Sequence, residues 1–117
     1  MDGDYVKYEM KLNNGPYTSI KNGTKTIELR LNDEKRQLLK TNDIIEFTNR
    51  ETFEKLMVEV KNIYYYSSFN ELYKHFDKVS MGYGKDDVAN PKDMEEYYSK
   101  EEQEKYGVIG IEIRKIK

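Results

Sequence analysis

The most consequential absence from this sequence is cysteine, of which its 117 residues contain none. Without thiols the chain forms no disulfide, no zinc–thiolate site and no cysteine nucleophile. His75 is the single histidine, which excludes a histidine-rich metal site, and it lies at the end of a predicted helix. We therefore expect neither a metal ion nor a cofactor.

Long apolar runs are also missing, since no stretch approaches the roughly 20 residues that cross a bilayer. Residues 1–12 mix charged and apolar side chains and lack the apolar centre of a signal peptide. We therefore expect a soluble cytoplasmic protein without a membrane partner. With 37% apolar and 36% charged residues, a chain of this length can build one modest core, so we expect a single domain over 1–117.

An excess of positive charge is the third absence. The chain has 20 lysines and arginines against 22 acidic residues, a net charge of −2. Proteins that bind long stretches of phosphate backbone normally carry a clear positive excess. We therefore expect no DNA partner, and we expect any nucleic-acid contact to be a local basic pocket or a site for a small ligand.

Alternating apolar and polar residues predict five strands, at 5–12, 24–31, 43–49, 52–66 and 107–115. Capping residues and helical spacing predict short helices between them, at 16–22, 33–40, 69–76 and 93–105. Residues 80–92 are interpreted as a loop. Dominant strands with short intervening helices predict an α+β fold, a small, partly open mixed β-barrel. Its interior is expected to contain Ile27, Leu29, Ile44, Val58, Val60, Ile109 and Ile111.

The second predicted strand carries a distinctive motif. Gly23, Lys25, Glu28 and Arg30 have the spacing Gly-x-Lys-x-x-Glu-x-Arg directly after a short helix. Further matching segments follow at 31–36, 42–47, 97–102 and 106–113. Over nearly its whole length the chain resembles the ASCH domain family, and within it the small stand-alone bacterial type. The resemblance implies a PUA-like β-barrel with a cleft beside the motif and an RNA-related role.

The resemblance also bears on catalysis. One branch of small ASCH proteins deacylates N4-acetylcytidine and related acylated cytidines, and its catalytic lysine stands at the position of Lys25. Its catalytic threonine stands three residues later, where this chain has Glu28. This chain therefore has the catalytic lysine of that branch but lacks a hydroxyl at the position of its catalytic threonine. Thr26 is the nearest hydroxyl in the sequence.

Lys25, Glu28 and Arg30 are the principal candidate site residues. A lysine and a glutamate that face one cleft can shift each other's pKa and share proton transfer, and an arginine can bind a phosphate or a base edge. Alternatively, Glu28 and Arg30 form only cross-strand ion pairs. Strict alternation directs Lys25 to the opposite face, unless a bulge or a strand start near Gly23 returns it to the cleft.

Other side chains are candidates for the rim of the cleft. Lys21, Lys35 and Arg36 could form a small basic rim, and the alternative for Lys35 is a solvated helix face. Tyr65 and Tyr83 are candidates for stacking on bases. Consecutive tyrosines in a strand point to alternate faces, so a core position is the alternative for part of the tyrosine run.

Three functions remain compatible with these residues. The leading one is binding of RNA or a modified nucleoside or nucleotide, with Lys25 and Arg30 holding anionic or acceptor groups and Glu28 accepting from an exocyclic amine. The second is hydrolysis, by an amidohydrolase of N4-acylated cytidine nucleosides or by a ribonuclease, with Lys25 and Glu28 as the acid/base pair and Thr26 as the hydroxyl. The third is an adaptor that binds protein through its tyrosine-rich surface.

Overall fold

The structure is a computed structural model that describes residues 6–116. Within these residues, five strands form one sheet: β1 (Lys7–Leu12), β2 (Ile27–Leu31), β3 (Ile44–Asn49), β4 (Lys55–Tyr66) and β5 (Val108–Lys115). The strand order is β1-β3-β4-β5-β2, with β1 parallel to β3 and the other neighbours antiparallel. The mixed sheet forms a half-barrel with a few short helices, which confirms the predicted α+β fold.

The helices lie in the connections between strands. They are α1 (Asn14–Asn22), α2 (Phe69–Leu72) and α3 (Lys100–Tyr106), with 3-10 turns at Arg36–Leu38 and Pro91–Glu96. In the part of the chain between residues 6 and 116, none of them has the length and apolar character needed to cross a membrane.

Local capping chemistry explains where these helices begin and end. The hydroxyl of Ser68 accepts from the amide of Glu71 at the start of α2. Ser99 and Glu102 form a reciprocal capping box at the start of α3. Gly23 follows α1 with φ of 88°, a left-handed conformation that ends the helix as its sequence position predicts.

Several predicted elements are shorter in the structure. The predicted helix at 33–40 is only the 3-10 turn Arg36–Leu38. The Asp33 carboxylate accepts from the Arg36 amide as a helix cap does, but the backbone becomes extended at Leu39 and ends the turn. The predicted helix at 69–76 ends at Leu72, and the one at 93–105 is divided between the second 3-10 turn and α3. Tyr5, the first residue of the predicted strand 5–12, lies outside the described residues.

Two apolar clusters cover the two faces of the sheet. On the face against which α1 packs, the α1 face, lie Met10, Leu12, Tyr17, Ile20, Leu39, Ile45, Phe47, Val58, Val60, Ile109, Ile111 and Ile113. On the face against which α2 packs, the α2 face, lie Ile27, Leu29, Leu31, Phe69, Leu72, Met81 and Val108. The prediction of one shared interior is therefore wrong for Ile27 and Leu29, which are buried on the α2 face, and Ile44 is only half-buried.

The alternation along β2 determines which face of the sheet its charged side chains occupy. Because Ile27, Leu29 and Leu31 are buried against α2, the residues between them must point to the α1 face. Glu28 pairs with Ile111 and Arg30 with Ile109, both members of the α1-face cluster. The fold thus directs two charged side chains of an edge strand to the rim of its larger apolar core.

Candidate functional site

Lys25 joins Glu28 because it lies before β2 and not within it. The amides of Thr26 and Ile27 both donate to the carbonyl of Ser80, so that β2 begins only at Ile27. Strand alternation therefore does not apply to Lys25, and its Nζ lies 3.3 Å from Oε1 of Glu28. A strand start after Lys25, and not a bulge, therefore brings the lysine to the cleft.

Glu28 connects two cations through its two carboxylate oxygens. The Nε of Arg30 donates to Oε2 at 2.7 Å, while Lys25 approaches Oε1 and donates to the carbonyl of Met81 at 2.8 Å. The Nη2 of Arg30 donates to the carbonyl of Lys11 at 3.1 Å. Lys25 is 7% exposed and Glu28 4%. We refer to Lys25, Glu28 and Arg30 as the charged triad; it has one more positive than negative group.

The protonation state of the triad follows from this geometry. Burial raises the pKa of the Glu28 carboxyl, but the charges of Arg30 and Lys25 outweigh burial and hold that pKa below its ordinary value. Burial also opposes the charge of Arg30, but Glu28 and the neighbouring Tyr98 raise the pKa of the guanidinium. Glu28 is therefore ionised at neutral pH, and an ionised carboxylate only accepts hydrogen bonds.

A cleft of about 750 Å³ opens at the triad. Its volume lies within the roughly 300–1,000 Å³ that is common for small-molecule sites. The turn from β1 into α1 contributes to its lining, as does the segment 81–98. Basic side chains line it at Lys11, Arg36 and Arg50, and aromatic side chains at Tyr73, Tyr83, Tyr97 and Tyr98.

The tyrosines of the cleft differ in how firmly they are held. The Tyr83 hydroxyl donates to Oδ2 of Asp93 at 2.7 Å and lies 2.8 Å from the Tyr73 hydroxyl. Burial, together with these partners, raises the pKa of Tyr83, and burial raises that of Tyr73, so both remain protonated donors. Tyr98 stacks on Phe69. Tyr97 is 56% exposed and has the most accessible ring of the four.

The structure brings some of the predicted site residues together and separates others. Those that line the cleft are Lys25, Glu28, Arg30, Arg36 and Tyr83. Lys21 lies on the exposed side of α1, 3.5 Å from the Glu54 carboxylate. Thr26 is exposed and Tyr65 on β4 is 61% exposed, and neither lines the cleft. Among the lining residues within 6–116, Ser19 is the only serine or threonine.

Sequence reasoning missed several lining residues, among them Lys11, Ser19, Arg50, Asp93 and Tyr97. They come from β1, α1, the β3–β4 turn and the segment after Pro91. No local pattern relates these segments, because only the parallel β1–β3 pairing and the packing of the segment 81–98 bring them together. Between residues 6 and 116, no group of three or more His, Asp and Glu side chains is arranged to hold a metal ion.

Gly82 allows the chain to pass directly against the Lys25 side chain. Its φ is 109°, which L side chains rarely adopt, and a Cβ there would lie 3.0 Å from Cδ and 3.2 Å from Nζ of Lys25. We expect Gly82→Ala to lower the free energy of unfolding by about 1–2 kcal/mol and to displace the lysine. Urea denaturation measures the loss. Gly15→Ala is the control, because a Cβ at Gly15 meets nothing within 4 Å, and equal losses in both variants would contradict the expectation.

Known proteins similar to the chain agree with this architecture. The ASCH domain family matches residues 10–117, whereas no curated protein matches the chain significantly. Among solved structures, hypothetical protein PH0355 is 37% identical with a TM-score of 0.80, covering 95% of this chain and 100% of that one. Protein PF0455 from Pyrococcus furiosus is 33% identical with a TM-score of 0.69, covering 96% and 99%.

A more distant likeness extends to the ASCH protein from Zymomonas mobilis. It is 14% identical, with a TM-score of 0.67, and the alignment covers 92% of this chain and 66% of that one. At this identity the likeness concerns the fold alone. The half-barrel sheet is therefore shared with a protein whose side chains differ at most positions.

Proposed function

The chain belongs to the ASCH domain family, and on that premise we propose that it binds RNA, or a nucleoside-sized part of it, in the cleft at the charged triad. The family is PUA-like and associated with RNA binding. One observation carries the proposal: a carboxylate that is 4% exposed lies between two cations at a cleft of about 750 Å³.

The triad offers hydrogen-bonding groups that complement a base edge. Bases such as cytosine and adenine present an amine donor beside a ring acceptor. Each carboxylate oxygen has two lone pairs, so Glu28 can accept from an amine while it keeps Arg30 and Lys25. The N–H groups of Lys25 and Arg30 can donate to the neighbouring acceptors. This alternation of acceptor and donors supports recognition of an unpaired base, as in single-stranded RNA.

An aromatic surface for stacking supports the same proposal. Tyr97 lines the cleft and is 56% exposed, so its ring is accessible to a ligand. Stacking of a base on an aromatic ring contributes about 1–3 kcal/mol in single-strand binders. Tyr65 and Tyr83 are weaker candidates for this role, because the first lies outside the cleft and the hydroxyl of the second is bound to Asp93.

Hydrolysis of acylated cytidine is the second candidate, favoured by the contact between Lys25 and Glu28 and by Ser19, whose hydroxyl-bearing side chain lines the cleft. Two observations weigh against it. The lowered pKa of Glu28 makes it a weak base at neutral pH, and Thr26 does not line the cleft. Binding without turnover therefore agrees better with the geometry.

Fluorescence anisotropy with a short single-stranded RNA tests the proposed binding. With one to three phosphate contacts, we expect log affinity to fall against log salt with a slope of about −1 to −3. Single-stranded DNA of the same sequence should bind more weakly, because 2′-hydroxyl contacts are lost. A slope of about −6 would indicate a much larger basic surface, and a protein that binds neither RNA nor nucleosides would refute the proposal.

A deacylation assay separates the second candidate from the first. The purified protein is incubated with N4-acetylcytidine, and free cytidine is quantified by chromatography. Cytidine release that disappears in Lys25→Met would establish the hydrolase. An unchanged substrate, together with RNA binding, is the result that we expect.

A further inference from the structure

A second depression, of about 270 Å³, adjoins the cleft at β1. Lys11, Arg30, Arg36 and Arg50 line both cavities, and Lys35 lines the second one alone. These five residues, which we call the basic groove, come from β1, β2, the 3-10 turn and its N-terminal flank, and the β3–β4 turn. Four separate segments of the chain therefore converge on one basic surface.

The basic groove stands out against the overall charge of the protein. The chain carries a net charge of −2, yet five cations line this small depression and Glu9 is its only acidic lining residue among residues 6–116. Clustered like charges repel one another and do not favour the compact state. The clustering therefore points to a ligand that carries negative charge.

The cations of the groove are of two kinds. Arg36 is fixed by Asp33, with Nη1 2.6 Å from Oδ2, and Arg30 is fixed by Glu28. Lys11, Lys35 and Arg50 are exposed, and within residues 6–116 they form no salt bridge. Two oriented guanidinium groups and three available cations suit a phosphate, because guanidinium N–H groups match its oxygens in pairs.

We propose that the basic groove binds a phosphate group of the ligand whose base occupies the cleft. Arg30 lines both cavities. The base in the cleft and the phosphate in the second depression would therefore lie on opposite sides of the Arg30 side chain. The ligand class is then a phosphorylated ribonucleotide or an RNA strand, and not a free nucleoside. This inference rests on the proposed function and adds to it the position of the phosphate.

The test uses anisotropy with a labelled RNA of about six nucleotides, within the site sizes of single-strand binders. Unlabelled nucleosides, their 5′-monophosphates and inorganic phosphate serve as competitors. For the parent protein, monophosphates should compete at about tenfold lower concentration than nucleosides, a difference of about 1.4 kcal/mol. Monophosphates that compete no better than nucleosides, while Arg50→Gln and Lys11→Gln still weaken RNA binding, would identify a phosphodiester of the strand as the source of the phosphate and would also support the groove.

Arg50→Gln and Lys11→Gln remove exposed cations of the groove independently. Each should lower RNA affinity about fivefold to tenfold and reduce the salt slope by about 0.7–1. Lys61→Gln, an exposed lysine of β4 outside both cavities, should bind like the parent. RNA binding that is unchanged in both groove variants, with nucleosides competing as well as monophosphates, would overturn the groove and leave the proposed function intact. A parent protein that binds neither RNA nor nucleosides would overturn both.

Discussion

Replacing Glu28 by glutamine should lower the free energy of unfolding by about 3–5 kcal/mol at neutral pH. The carboxylate is 4% exposed and lies 2.7 Å from the Arg30 Nε and 3.3 Å from the Lys25 Nζ. Glutamine keeps the shape of the side chain but removes its charge, so two largely buried cations lose their counter-ion. Urea denaturation at pH 7, followed by circular dichroism, measures the loss.

The same contacts make stability depend on pH. The folded-state pKa of Glu28 lies below its ordinary value of 4.5. Its contribution is therefore fully present above about pH 4.5 and is lost as the pH falls through the folded-state pKa, since the unfolded chain binds the proton more tightly. The parent should lose stability on acidification through this window, and Glu28→Gln should show a flatter profile.

Glu59→Gln is the matched control for this effect. Glu59 also pairs with an arginine, Arg114, but on the surface of the protein, where the Arg114 side chain is 63% exposed. Exposed ion pairs contribute about 0–1 kcal/mol, so this variant should remain close to the parent. Equal losses in the two variants would show that the triad is no more important than an ordinary surface pair.

Local chemistry explains which parts of the fold can be predicted from sequence. The end of α1 at Gly23 follows from a capping glycine, and the strand β5 follows from its alternating apolar residues. The predicted helix at 33–40 fails because the capping bond of Asp33 marks where a helix can begin but not how long it continues, and the backbone becomes extended at Leu39. Likewise, alternation identifies Ile27 and Leu29 as buried but cannot tell which face of the sheet buries them.

The part of the candidate site that could be predicted from the sequence is the charged triad, because one motif contains all three residues. Lys25, Glu28 and Arg30 lie within six positions of the sequence. Alternation places Glu28 and Arg30 on one face, whereas Lys25 was a candidate because of the family resemblance and because the strand could start after it. The rest of the lining depends on long-range packing: Lys11 and Arg50 meet through the parallel β1–β3 pairing. Tyr65 and Tyr97 are both exposed, but only Tyr97 borders the cleft. The sequence does not show which of two exposed tyrosines lies beside the cleft, so Tyr65 was chosen and Tyr97 was missed.

Lys25→Met should weaken RNA binding by about 1–3 kcal/mol, roughly 5–150-fold. The substitution removes a buried donor at the cleft, while Glu28 keeps its 2.7 Å contact with Arg30, so the protein should still fold. Thermal melts establish folding before anisotropy measures affinity. A catalytic lysine would behave differently, with turnover abolished and binding reduced far less.

Lys21→Met is the control for this substitution. Lys21 lies only four positions away in the sequence, yet it is on the exposed side of α1 and outside the cleft. It should bind RNA like the parent. Equal affinities of the two folded variants would show that Lys25 is not part of a binding site.

Photo-crosslinking to an RNA that contains 4-thiouridine tests the central claim most directly. After irradiation and digestion, mass spectrometry identifies the peptides that carry nucleotides. We expect crosslinks in the segments that line the cleft, at 11–19 and 81–98, and their loss in Lys25→Met. Crosslinks that are instead confined to the tyrosines of 64–66 on β4, or that persist unchanged in the variant, would contradict RNA binding at the charged triad.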